Sequence, residues 1–530
     1  MKRSSAIIMS VSSLPSPYGI GSLGRCAYEF ADFLKAAGQS YWQFLPIGPT
    51  SYGDSPYQSF SSWAGNPYYI DLDMLEEDGL LTKEEIDKYD CCHDARHVDY
   101  GMLYEKRFAL LRLAAQRGLK RDRDALAQFA EANPWLDSYA LFMACKCHFS
   151  MKSWLCWDDD ELRERKPEAL EKYRKLLKDD IDFYSYLQYL FFGQWDRLLS
   201  YIHSLGLKTI GDIPFYAALD SADVWSEAEF FSLDEKFLPR EVAGVPPDYF
   251  CEDGQLWGNP LYNWDAMKAD GYGWWIRRVG AASQLFDVIR IDHFKGFSEY
   301  WAVPYGEKTA RNGLWRKGPG MDLVGVLSGW FNTTEFVAED LGVASEALTQ
   351  LLKDSGWPGM KVLQFAFDSA EASNYLPHSY SHNCICYSGT HDNATLMEWL
   401  ADASLEDKTY AAEYLGLIDM KGRGCDGMPA GRGFDDMPAG HGFDGMPSEC
   451  DCDDMPSDEK LCHAIICAGA GSVADLWAAQ LQDYMFLGKG NRMNTPGTLG
   501  GNWTWRALRE EINPSLAGYI RKIMEMYGRV

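Results

Sequence analysis

AIIMSVSSLPSPYGIGSLGRCAYEFADFLKAAGQSYWQFLPI, residues 6–47, holds one complete strand–helix–strand unit, and its reading decides the fold. AIIMSV (6–11) is an apolar run of the length a buried strand needs. Phe30, Phe33, Leu34 and Ala37 then stand at i, i+3, i+4 and i+7, one face of an amphipathic helix. Gly38 is a natural stop, since glycine just past a helix takes the left-handed backbone without steric cost. YWQFLPI (41–47) reads as the next strand. Between strand and helix lie Gly19, Gly21 and Gly24, the G-x-G-x-x-G spacing with which a doubly wound sheet cradles a dinucleotide. That motif opens directly after its strand. Here seven residues intervene after Val11, and two of them are Pro15 and Pro17. The unit points to a barrel instead.

The same pattern recurs along the chain. A helix around 185–205 ends at Gly206 before KTIGDIP (208–214), and one carrying Leu348, Leu351 and Leu352 reaches Gly356 before VLQFAF (362–367). VIRID (288–292), FVAED (336–340) and CICYSG (384–389) bring the expected strands to at least seven. Serial right-handed βαβ units make a parallel sheet. The expectation is a single catalytic (β/α)8 TIM barrel with long, partly helical insertions. Residues 75–180 are the first insertion, charged, Leu-rich and helical, between the second and third strands. Residues 215–285 form a loop-rich insertion crowded with Pro, Gly and Trp that covers the barrel mouth. The third, 421–456, is a repeat of period nine: DGMP (426–429), DDMP (435–438), DGMP (444–447) and DDMP (453–456). Its G-x-G-x-D-x-M shape resembles the calcium-binding nonapeptide of β-rolls. Each copy places a Pro where a strand residue belongs, so an acidic, disordered, low-complexity loop is expected.

Composition narrows the partners. In 530 residues, 77 acidic against 50 basic side chains leave a net charge of −27, which opposes nucleic acid and anionic membranes. The apolar run near MKRSSAIIMSVSSLP is too short for a signal peptide, and no stretch approaches a membrane span, so the expected location is cytoplasmic. The fourteen cysteines are scattered without paired zinc spacing; CCH (91–93) and CKCH (145–148) lack a second pair, and reduced thiols with no metal are expected. Aromatic residues make up 14% of the chain, including 19 Trp, and flat rings suit the C–H faces of sugars.

Barrel enzymes carry their chemistry at the C-terminal ends of the strands. At those ends stand Asp212, then Arg290, Asp292 and His293, then Glu339 with Asp340, and His391 with Asp392. Side chains alternate along a strand, so Arg290 and Asp292 share a face. Burying such ions costs several kcal/mol each without good partners. Carboxylates gathered in one half-buried mouth therefore imply a function. Retaining glycosyl transfer needs two carboxyls across one sugar: an ionised nucleophile, and an acid whose surroundings raise its pKa. Arg290 is the cation expected to keep Asp292 charged.

Several longer motifs then carry a resemblance that runs nearly end to end. SSLPSPYGIGSLG (12–24), GDSPYQSFSSWAGNPYYIDL (53–72), GDIPFY (211–216), GVPPDYFCEDGQLWGNPLYNW (244–264), RIDHFKG (290–296), AEDLG (338–342), GTHDN (389–393) and NTPGT (494–498) are similar to those of the amylomaltase, or 4-α-glucanotransferase, family, allied to the α-amylase superfamily. The resemblance implies Asp292 as nucleophile, Glu339 as general acid/base and Asp392 as transition-state stabiliser. It implies that Arg290, His293 and His391 orient the sugar at the cleavage point, and that Asp212 lies near the site. Tyr57 and Trp257 would stack on glucan, and Asn494 would contact donor hydroxyls. The implied partners are α-1,4-glucans and maltooligosaccharides, with glucose as acceptor, and no cofactor. The nonapeptide repeat has no counterpart in the family pattern.

The trio alone does not separate transfer from hydrolysis, because both pass through one covalent intermediate that either a sugar hydroxyl or water can intercept. A catalytically dead glucan-binding protein would be expected to have lost a member of the trio.

Overall fold

The structure is a computed structural model, and it describes residues 2–51, 53–89, 91–247, 252–342, 345–370, 373–418, 455–498 and 500–530. Nearly all of the nonapeptide repeat, 421–454, lies outside the described residues, and with it the expectation of a disordered loop.

In chain order the strands are β1 (Ser4–Ile8), β2 (Tyr41–Gln43), β3 (Lys208–Ile213), β4 (Glu241–Val245), β5 (Gln255–Pro260), β6 (Val288–Ile291), β7 (Glu299–Pro304), β8 (Leu314–Lys317), β9 (Glu335–Ala338), β10 (Gly359–Val362), β11 (Cys384–Tyr387) and β12 (Leu476–Gln480). Eight of them form one parallel sheet in the order β10-β11-β12-β1-β2-β3-β6-β9. Its ends approach each other, with the Ala338 N–H donating to the Pro358 carbonyl at 2.9 Å, so the sheet is a nearly closed barrel. The strands are short apolar runs because helices cover their outer faces and side chains fill their inner ones.

The opening unit folds as its pattern predicts. The helix Arg25–Ala36 buries Phe30, Phe33 and Leu34, and the chain turns at Gly38 with φ of 70°. The glycine motif serves packing. A Cβ on Gly24 would sit 2.0 Å from the Asp71 carboxyl carbon, and one on Gly21 would meet the Val11 carbonyl oxygen at 1.8 Å. Asp71 holds that space by accepting from the Ser22 hydroxyl at 2.6 Å, where a dinucleotide fold would place a phosphate.

Three elements differ from the sequence reading. The sixth barrel strand is Gly359–Val362, and Leu363–Phe365 turns away as a 3-10 helix that lets Gln364 reach the Ala394 carbonyl at 2.7 Å. The eighth strand, LWAAQ (476–480), is not among the strands expected from the sequence pattern. The barrel-mouth insertion holds a second, antiparallel sheet in the order β5-β4-β7-β8, and two of those strands come from residues 299–317, beyond β6.

The helical insertion secures the loop between β2 and β3. The helix Lys178–Ser204, which leads back into β3, presents two buried glutamines. Gln188 exchanges hydrogen bonds with both backbone groups of Gly65 (2.8 and 2.9 Å), and Gln194 does the same with Asp71 (2.7 and 3.2 Å). Residues 46–71, which include Tyr57, are held from behind by these bonds.

Candidate active site

Parallel registry brings the charges together. Asp212 on β3 is the partner of Arg290 on β6, and Arg290 in turn is level with Val337 on β9. Strands β6 and β9 end at Ile291 and Ala338, so Asp292 and Glu339 emerge at the same level from adjacent strands. The Asp292 N–H still reaches back to the Ile213 carbonyl at 3.0 Å, and the Glu339 N–H to the Ile291 carbonyl at 3.1 Å.

Arg290 is buried and divides its charge. One of its terminal nitrogens, Nη1, lies 2.6 Å from both Asp212 oxygens and 3.0 Å from Asp292 Oδ1. Asp212 also accepts from the Tyr57 hydroxyl at 2.7 Å. The guanidinium therefore favours Asp212, and Asp292 holds only part of it. Burial raises the Asp292 carboxyl to about 6, against the pull of Arg290 and with a further push from Asp212. Arg290 pulls Asp292 toward the charged form, but a cation shared with Asp212 in a desolvated mouth does not cancel the effect of burial.

Glu339 is pushed further, to about 7, by burial first, with Arg290 pulling it down and Asp292 pushing it up. Its carboxyl accepts from the His293 N–H at 2.7 Å and the Leu341 N–H at 2.8 Å. The first of these donors is the residue next to Asp292, so the two carboxyls flank one point of the barrel mouth. Of the pair, the group that touches Arg290 ionises first.

His293 sits in the left-handed region with φ of 47°, a conformation rare for a side chain of this size. Burial, with Lys295 nearby, lowers its pKa to about 4, and its Nε2 is buried without a partner among the described residues. Trp257 on β5 packs edge-on to it at 4.9 Å between centroids. Across the mouth, Tyr57 stacks on His391 at 5.0 Å and 17°. Burial lowers the pKa of His391, and Asp392 more than reverses this. For Asp392 burial acts upward, but His391 (3.4 Å) and the Asn494 amide (2.6 Å) hold it down at about 2. Nearly half of the Asp392 side chain, 47%, is accessible in the cleft.

Ten of the eleven residues singled out in the sequence thus stand around one mouth, linked by the contacts above; the eleventh, Asp340, accepts from the Met360 N–H at 2.7 Å and takes no part in them. Sequence reasoning missed their supports. Arg492 ties the two loops by donating to the Asp392 carbonyl at 2.9 Å and the Asn494 carbonyl at 2.7 Å. Gln58 fastens the Tyr57 loop to β5 through Asn259 at 2.9 Å. Trp503 packs against both Tyr57 and His391. The only local hint of it was NWTW (502–505), an aromatic pair after a glycine-rich turn. Among the described residues no group of three or more His, Cys, Asp or Glu is placed to hold a metal ion.

Comparison with known proteins bears on this arrangement. A family profile described as 4-alpha-glucanotransferase matches residues 9–510. The 4-alpha-glucanotransferase of Clostridium butyricum is 42% identical over 524 residues, covering 98% of this chain and 100% of the relative. That of Thermus thermophilus is 41% identical over 538 residues, with 100% of each covered. Among solved structures, the amylomaltase from Streptococcus agalactiae in complex with acarbose superposes with a TM-score of 0.90 at 37% identity, covering 100% of both chains.

Proposed function

The chain belongs to the 4-alpha-glucanotransferase family, and on that premise we propose a role for each group at the barrel mouth. The protein is a glycosyltransferase: it moves a segment of a 1,4-α-glucan to the 4-hydroxyl of an acceptor glucose or maltooligosaccharide, in maltodextrin, glycogen or starch metabolism. The mechanism is a retaining double displacement.

Asp292 is the nucleophile. One of its oxygens attacks the anomeric carbon while the bond from that carbon to the leaving 4-oxygen breaks. Glu339 gives its proton to that oxygen, and a covalent glycosyl-enzyme remains. Glu339, now a carboxylate resting on the His293 and Leu341 N–H groups, takes the proton of the acceptor 4-hydroxyl. The acceptor oxygen attacks the same carbon from the same side as the departed group, and Asp292 is released. Atoms and charges balance with these two carboxyls. Asp392, already ionised, binds sugar hydroxyls and stabilises the oxocarbenium-like transition state. Arg290, His391 and the unpaired nitrogen of neutral His293 orient the ring being transferred. Tyr57 and Trp257 offer faces to the glucan, Asn494 meets donor hydroxyls, and Asp212 anchors Arg290.

Transfer over hydrolysis requires an occupied acceptor site that excludes water. Strand β5 and the Tyr57 loop, joined through Gln58 and Asn259, supply that cover. A reducing, cytoplasmic setting fits the buried free thiols Cys26, Cys145, Cys384, Cys386 and Cys462. Among the described residues no helix is long and apolar enough to cross a membrane.

The observation that carries the reading is Glu339 bonded to the backbone beside Asp292, with its pKa raised above that of its neighbour. With maltotriose alone, the expected products are glucose and a ladder of oligosaccharides longer than the substrate. Glucose and maltose with nothing longer would make the protein a hydrolase. Asp292→Asn should lower turnover by several powers of ten with glucan binding still measurable; near-normal turnover would remove Asp292 from its role.

A further inference from the structure

Trp503 stands in a backbone conformation that has to be enforced. Its φ is 64°, in the left-handed region where a bulky side chain is an outlier. Such residues persist only where the surroundings over-determine them, and they cluster at functional sites. The surroundings here are specific. The Trp503 N–H donates to the Met493 carbonyl at 2.7 Å, and its carbonyl accepts from the Tyr100 hydroxyl at 3.0 Å. On either side, Thr495 N–H bonds to the Asn502 side chain (3.0 Å), Val98 N–H to the Thr504 carbonyl (2.7 Å) and Arg506 N–H to the Arg96 carbonyl (2.7 Å). Tyr100, Val98 and Arg96 all belong to the helical insertion.

The product of this enforcement is a buried indole in contact with two rings of the site. Trp503 lies 5.7 Å from Tyr57 at 43° and 5.8 Å from His391 at 40°, and those two rings stack on each other. Tyr57 in turn donates to Asp212, and His391 neighbours Asp392. Resting on the roles given above to these residues, we propose that Trp503 is a positioning residue for glucan transfer: it sets the planes of Tyr57 and His391. The helical insertion acts on catalysis through it, by way of Tyr100. Trp503 acts through its neighbours; the reacting atoms are theirs to hold. Without the indole the Tyr57–His391 stack can tilt, and with it the hydroxyl on Asp212 and the imidazole beside Asp392.

The test is kinetic, on the full chain with maltotriose, with thermal melting recorded in parallel. Trp503→Leu keeps bulk and loses the flat face. It should lower kcat and kcat/KM together by about 100-fold, the scale of a small misplacement at a reacting centre, with KM little changed. Trp503→Phe keeps a face and should recover most of kcat. Tyr100→Phe removes only the hydroxyl that holds the Trp503 carbonyl and should show the same kcat signature at smaller size. If Trp503→Leu melts lower but turns over normally below its melting point, or if Phe restores no more than Leu does, the indole is core and the proposal is overturned. Should Trp503→Leu misfold, Tyr100→Phe decides: unchanged kcat in a well-folded variant refutes the link. Asp292→Asn is the control that separates this result from the wider reading. If Asp292→Asn stays active, the site assignment itself has failed; if it is dead while Trp503→Leu is normal, only the positioning role has.

Discussion

The two carboxyls should write themselves into the pH profile. On the roles proposed above, the productive free enzyme has Asp292 ionised and Glu339 protonated. Burial raises both, to about 6 and about 7, with Arg290 pulling each of them down and Asp292 the lower of the two. Treating the two as one coupled dyad, the productive fraction is 1/(1 + 10^(6 − pH) + 10^(pH − 7)), which peaks near pH 6.5 at about 0.6 and falls to about 0.03 by pH 8.5, roughly 20-fold. The assay is the initial rate of glucose release from maltotriose well below KM, so that kcat/KM of the free enzyme is read, at constant ionic strength. A bell with its alkaline limb near pH 7 is expected. Glu339→Gln cannot lose that proton, so its much reduced activity should keep the acid limb and lose the alkaline one. A wild-type profile flat between pH 6.5 and 8.5, or an alkaline limb surviving in Glu339→Gln, would refute the assignment of the acid.

The same burial has a stability consequence. A carboxyl whose folded pKa lies above its unfolded value stabilises the fold fully below the unfolded pKa, and that contribution is lost as pH rises through the folded one. For Glu339 this window runs from its ordinary 4.5 to about 7. Glu339→Gln should therefore melt above the wild type at pH 8, with the difference shrinking toward pH 5; a constant difference would contradict the linkage. Gln194→Ala strips both backbone partners from buried Asp71, so denaturant unfolding should show a loss of about 1–3 kcal/mol, the usual cost of leaving a buried polar group unpaired. An unchanged midpoint would mean that the loop carrying Tyr57 is held in some other way.

What residues 6–47 determine by themselves is local. The period-3.6 face of Phe30, Phe33 and Leu34, the stop at Gly38 and the short apolar strands around them are set by sequence spacing, and from such units the barrel was legible. So was the gathering of Asp292, Glu339 and Asp392 at one mouth, because chemistry on a barrel collects at strand ends and the motifs there are long. Pairing between distant segments left no local trace. The second sheet draws on residues 299–317 from beyond β6, and its antiparallel partners are fixed only when the barrel brings them alongside. LWAAQ differs little from any short apolar run until β1 and β11 flank it. Charge was the other blind spot. Two residues of spacing put Arg290 beside Asp292, but only the β3–β6 register gives most of that guanidinium to Asp212. The strained turn at Trp503 was invisible for the same reason, since what holds it is a tyrosine hydroxyl some 400 residues away in the chain. Periodicity and caps are properties of neighbours in sequence. The protonation state of a nucleophile and the tilt of a ring belong to neighbours in space, and the tertiary structure alone decided them.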